Sequence, residues 1–124
     1  MIPVTPQPEP EDFDRLVRQP GRDYLRLHPD TKPSKLPAYW TRVIHDLWEK
    51  YNGICAYLAK YLPEPTGAVT TDHFVAKSKT KEWAYEWSNY RLASLGKNRK
   101  KNTDKVLDPF TLKKAVRIFS YNNA

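Results

Sequence analysis

The sequence predicts a small α+β fold. Apolar residues recur at helical spacing near the middle of the chain. Two short strand-like runs follow, with a lysine- and aromatic-rich stretch between them, and polar, basic text suited to an exposed helix comes after. At 124 residues the chain has room for one core of ordinary size.

The first 37 residues hold eight of the eleven prolines, so residues 1–37 read as a proline-rich, largely irregular segment ahead of a folded domain over 38–124. Within it, Met1 to Pro10 reads as an extended lead-in. Residues 11–19 (EDFDRLVRQ) allow a short helix closed by Pro20-Gly21, and 22–36 read as coil. Pro37 suits the first turn of a helix over 38–51, whose apolar face is Trp40, Val43, Ile44, Leu47 and Trp48; Asn52-Gly53 ends it.

Ile54 to Leu62 fits helix or strand equally, and Pro63, Pro65 and Gly67 mark a loop. The β-branched run 68–76 (AVTTDHFVA) predicts a strand with a polar pair inside it, and 90–95 a returning strand. Between them lie Lys77, Lys79 and Lys81 and the aromatic cluster 82–88 (EWAYEWS). From Asn98 the text suits an exposed helix, broken by Asp108-Pro109, and 111–119 (TLKKAVRIF) a last helix.

A formal net charge of +7 favours a polyanionic partner, nucleic acid above all, while suiting an acidic protein or anionic surface as well. Four Trp and eight Tyr give the chain enough to bury, which argues against disorder throughout. The single cysteine, Cys55, excludes an internal disulfide and a thiolate zinc cluster. There is no run long enough for a transmembrane helix and no signal-peptide layout, so a cytoplasmic location without membrane contact is expected.

Three polar features stand out in the second half: Asp72-His73 inside an apolar strand, Asn89 just after Trp87, and the run Lys97-Asn98-Arg99-Lys100-Lys101-Asn102. Each has a structural explanation on its own. A buried Asp-His pair is often simply hydrogen-bonded, an Asn before a strand is a turn residue, and a basic run is a solvated face. His28, before Pro29, and His45, on the central helix, carry no expected role, and Tyr85 and Trp87 are read as core rather than as a stacking platform.

Together the three features resemble the HNH endonuclease family, whose core is a β-hairpin and a helix around one divalent cation (the ββα-metal fold). The family pattern runs Cys-x-x-Cys, Asp-His-Phe with a nearby Lys, Trp-x-Asn, then Cys-x-x-Cys-Asn-x-x-Lys. The matching text is CAYL, TDHFVAK, YEWSNYRLAS and LGKNRKKN, covering roughly residues 51–110. The resemblance implies that Asp72 and Asn98 are metal ligands, that His73 is the general base, and that Asn89 completes the catalytic set by bracing the loop that holds His73. Lys101 falls on the lysine after the second ligand. Of the four knuckle cysteines, at Cys55, Leu58, Ser94 and Lys97, only the first is present, so no structural zinc is expected and packing must hold the hairpin. Cys55 is then a small buried apolar residue.

A carboxylate with an amide oxygen suits a hard cation, Mg²⁺ first and Mn²⁺ second. Lys77, Lys79 and Lys81 on one side, and Lys97, Arg99, Lys100 and Lys101 on the other, would contact DNA phosphates, giving affinity but little sequence choice. Relatives with this spacing resemble nuclease subunits of bacterial anti-phage systems that pair with an ATPase, which implies that a protein partner supplies specificity. Two alternatives stand beside the nuclease: a degenerate HNH-fold nucleic-acid-binding module or subunit of a larger defence complex, and a basic structural protein.

Overall fold

The computed structural model describes residues 4–63, 69–94 and 108–111. Over these residues the chain is a small α+β fold with two α-helices and a two-stranded antiparallel sheet. Helix α1 spans Gln19–Leu27 and follows a π-helical turn at Asp14–Arg18; α2 spans Ile44–Lys50 and follows a 3₁₀ segment at Tyr39–Val43. Strands β1 (Val69–His73) and β2 (Tyr90–Ser94) pair from Val69↔Ser94 to His73↔Tyr90. Both fall inside the runs that the sequence marked as strands. The expected helix beginning near Asn98 lies outside the described residues, as does the expected last helix beyond Thr111.

The N-terminal third departs from its sequence reading. The short helix expected at 11–19 does not stop at Pro20-Gly21 but continues to Leu27, so residues 22–27 are helical rather than coil. The π-turn explains how the helix tolerates the proline. Gln19 N–H reaches back five residues to Asp14 O, and Pro20 enters the first turn of α1, where its missing donor costs least. The carbonyl of Leu16, four residues before Pro20, is met by Arg42 Nη1 at 2.9 Å. Gly21 has a packing reason: α1 crosses the ring of Tyr85 there, and a Cβ on residue 21 would lie 2.1 Å from Tyr85 Cγ.

The same third completes the core. Phe13 and Val17 are fully buried with Val43, Leu47, Tyr85, Tyr90 and Leu92 in one cluster that runs across the expected boundary at 37/38. Phe13 meets Trp87 and Tyr90 edge-on at 5.9 and 5.8 Å. Even the proline-rich lead-in is pinned: Trp87 Nε1 donates to Gln7 O, and Gln7 N donates to the Tyr51 hydroxyl. Arg18 ties α1 to the loop ahead of β2 through Glu86, and Glu9 and Asp14 hold its other edge.

The central helix presents the face its spacing predicted. Val43 and Leu47 are fully buried, with Trp40, Ile44 and Trp48 packed against the same core. Its first turn is 3₁₀ rather than α. The helix ends at Asn52 and Gly53, with φ of 55° and 68°; glycine suits the second position, where Tyr61, Trp48 and Leu62 O crowd the space a Cβ would need. The ambiguous stretch 54–62 is a tight turn closed by an antiparallel bridge between Ile54 and Tyr61. Ala56 N donates to Leu92 O at 2.8 Å and pins this turn to β2. Cys55 is fully buried within it. No helix among the described residues is long and apolar enough to cross a membrane.

Candidate active site

His73 is the last residue of β1 and is buried. Its Nε2 lies 3.0 Å from Ala84 O, a carbonyl that also accepts the Tyr90 hydroxyl at 2.7 Å. A carbonyl only accepts, so Nε2 carries the hydrogen and the lone pair of the neutral ring is on Nδ1. The ring stands edge-on to Trp40 at 4.5 Å and to Tyr90 at 5.3 Å, which fixes its plane. Ala84 is placed by the 3₁₀ segment Lys81–Tyr85, and the neighbouring Tyr85 is clamped beneath α1 with its hydroxyl on Pro37 O. The orientation of the histidine thus depends on residues from both sides of position 37.

Asn89 holds the chain that leaves His73. Its Oδ1 accepts from Val75 N at 2.8 Å, its Nδ2 donates to Val75 O at 3.1 Å and Trp83 O at 3.2 Å, and its own carbonyl accepts Phe74 N at 3.0 Å. An amide is the one side-chain group that can both accept from a backbone N–H and donate to two carbonyls at this point. Asn89 is therefore a brace between the two ends of the loop 74–89.

Asp72 precedes His73, and alternation along a strand sends the two side chains to opposite faces. Their contacts follow suit: Asp72, fully buried, receives a hydrogen bond from the Tyr57 hydroxyl through Oδ2, while His73 lies against Trp40 and Ala84. Burial together with the Asp72 charge drives the Tyr57 hydroxyl pKa far above its ordinary value of 10.0, so the phenol is a permanent donor. Arg91 lies directly opposite Asp72 across the hairpin. It forks onto Asp108 at 2.9 and 2.7 Å, donates to Ser88 O and Tyr90 O, and is stacked 3.6 Å over the Phe110 ring. Sequence reasoning missed this pair and Tyr57, although a lone arginine in the otherwise apolar run YRLA was a visible signal of a partnered buried charge.

The two lysines that flank Lys79 have divergent roles. Lys77 lies 4.7 Å over the Trp40 ring, half-buried beside the histidine, and desolvation lowers its pKa. Lys81 donates to Pro29 O and Thr31 O at 3.0 Å each, closing the chain after α1. Lys79 is exposed. Asn98 and the basic residues Lys97, Arg99, Lys100 and Lys101 lie outside the described residues. His28 stacks on Tyr24, and His45 pairs with Glu49 on the surface of α2, so neither approaches the site. Tyr85 and Trp87 are buried core residues, whereas Trp83 is exposed.

Among the described residues, no group of three or more His, Cys, Asp or Glu side chains gathers as metal ligands would. The Asp72 carboxylate is a hard oxygen group, of the kind that suits Mg²⁺ or Mn²⁺ rather than a soft metal. No protein-family model matches the chain, and neither a curated protein nor a solved structure is significantly similar to it.

Proposed function

We propose that the chain is a metal-dependent endonuclease of the HNH type, hydrolysing phosphodiester bonds in DNA with His73 as general base. The observation that carries this reading is the way His73 is held. Nε2–H is fixed on the Ala84 carbonyl and Asn89 braces the adjoining loop, which orients the imidazole at the end of a β-hairpin. The hairpin and these side chains support a ββα-metal core, with the helix that would complete it beginning near Asn98.

In this reading a phosphate lies at the end of β1, beside His73. His73 Nδ1 takes a proton from water as the water oxygen attacks phosphorus. The bond from phosphorus to the leaving oxygen breaks, and that oxygen recovers a proton from solvent, so one water is consumed per bond cut. Asp72 and Asn98 would hold the cation, which supplies charge stabilisation at the phosphoryl group and the leaving oxygen. Lys77, Lys79 and Lys81, with Lys97, Arg99, Lys100 and Lys101, provide positive charge for flanking phosphates, and a protein partner supplies sequence or strand choice.

Cleavage of supercoiled plasmid and single-stranded DNA with Mg²⁺, Mn²⁺ or EDTA tests the proposal. Cutting should require the metal and fall about 10²–10⁴-fold in His73→Ala, the range for loss of a general base. Binding without cutting under every metal condition would favour a degenerate nucleic-acid-binding module instead.

A further inference from the structure

We infer that the exposed ring of Trp83 is a stacking platform for an unpaired base, which makes single-stranded DNA the preferred substrate form. The inference rests on the nuclease reading and deepens it by naming the strand state of the substrate. The four tryptophans divide by what their rings do. Trp40 lies against His73 and carries the Lys77 ammonium over its ring. Trp48 donates to Leu62 O and stacks with His45, while Trp87 donates to Gln7 O and packs on Phe13 and Tyr51. Trp83 is 51% exposed, and among the described residues no ring, cation or hydrogen-bond partner engages its indole.

The backbone beneath that ring is fixed. Trp83 N donates to Thr80 O, its carbonyl accepts Asn89 Nδ2 at 3.2 Å, and the next carbonyl, of Ala84, accepts from His73 and Tyr90. An indole has two side-chain torsions, so with its Cα already held it loses little freedom when a ligand covers it. Trp83 also adjoins the residue that orients His73, so a base stacked there belongs to a nucleotide beside the phosphate proposed to be cut. Its neighbours in the chain suit a polyanion better than an apolar protein face: Ser78, Lys79 and Glu82 are exposed, and residues 77–83 carry three lysines against one glutamate. Lysine contacts with phosphate hold a strand whether or not it is paired. A ring face adds affinity only for a base whose own face is open, and in a duplex those faces are already stacked on one another.

The test is binding by the full chain in EDTA, read by fluorescence anisotropy of a labelled oligothymidylate and of a labelled hairpin duplex. EDTA separates binding from any metal or cleavage step. Wild type is compared with Trp83→Ala, Trp83→Leu and Trp83→Phe, with circular dichroism and melting to check the fold. Trp83→Ala should bind the single strand about 5- to 150-fold more weakly, the range for loss of one base stacked on an aromatic ring, and the duplex as before. Trp83→Phe should keep most of the single-strand affinity and Trp83→Leu should not, because leucine restores apolar surface without a π-face. Unchanged single-strand affinity in Trp83→Ala, or an equal loss on both DNA forms, overturns the platform and leaves the nuclease reading to the His73→Ala cleavage assay. Wild type that binds neither form overturns the platform and the nucleic-acid reading together. Should the variants fail to fold, wild type decides alone: the Trp83 indole N–H resonance should shift as the single strand is added, and an unmoved resonance at saturation sinks the inference.

Discussion

Replacing Gly21 by alanine sets two physical effects against each other. Glycine inside a helix costs about 1 kcal/mol relative to alanine, so local propensity alone predicts that Gly21→Ala stabilises the protein. The packing predicts the reverse. The new methyl would lie 2.1, 2.4 and 2.6 Å from Tyr85 Cγ, Cδ2 and Cδ1, far inside the roughly 3.5–4.0 Å of a normal carbon contact. The ring cannot step aside cheaply: Tyr39 and Trp40 rings both pack on it at 5.8 Å, and its hydroxyl is bonded to Pro37 O. Overpacking costs about 1–3 kcal/mol, and more where the obstacle is a ring fixed at both ends, so a net loss of about 2 kcal/mol is expected. For a chain of this size that lowers Tm by about 6–12 °C. Because Tyr85 follows Ala84, whose carbonyl orients His73, the proposed nuclease activity, measured well below Tm, should fall as well. Urea or thermal denaturation of the two proteins decides the matter. A Gly21→Ala variant with raised Tm would show that α1 does not cross Tyr85 as described.

Asn89→Ala removes the partner of Val75 N, Val75 O and Trp83 O, and should cost at least about 2 kcal/mol in urea denaturation. Asn89→Asp should not recover the loss at neutral pH, because a carboxylate can accept from Val75 N but repels the two carbonyls; wild-type stability in that variant would refute the brace. Ala59 adopts φ of 52°, a conformation that costs a residue with a Cβ about 1–2 kcal/mol, against about 0.5–1 kcal/mol for the greater chain entropy of glycine. Ala59→Gly should therefore raise Tm by a few degrees, and a lowered Tm counts against the turn. The Tyr90 hydroxyl, fully buried, has its pKa raised by desolvation first and by Tyr85 and Glu86 next. The folded state holds this proton longer than the unfolded chain, so the contribution is intact below pH 10.0 and is lost as pH rises from there, at about 1.4 kcal/mol per pH unit. Tyr85, also raised by burial, acts in the same direction. Stability that stays flat between pH 9 and 11 would contradict the burial of both phenols.

The β-hairpin and the face of the central helix were legible in the sequence because both are local patterns. A β-branched run of Val and Thr favours a strand whether or not its partner is known, and Val43 and Leu47 fall on one side of any helix drawn through them. Turn chemistry was equally local at Asn52-Gly53. The N-terminal third was not legible, because Pro20-Gly21 is a helix terminator by propensity and became helix interior through distant partners. Arg42 supplies a bond to the carbonyl that the proline cannot reach, and the ring of Tyr85 occupies the space where a side chain would be.

For the site, the sequence by itself determined which groups are available: an Asp-His pair at the end of a strand, and an Asn at the head of the next. The tertiary structure decided what each does. It fixed the tautomer of His73 through the carbonyl of Ala84, made Asn89 a brace across its loop, and put the Tyr57 hydroxyl on Asp72 and the Arg91 guanidinium on Asp108. It also tied Lys81 to the carbonyls of Pro29 and Thr31. The physical reason is one of range. Propensity and periodicity act within a few residues, whereas the direction of a hydrogen bond depends on which backbone group the fold brings within about 3 Å.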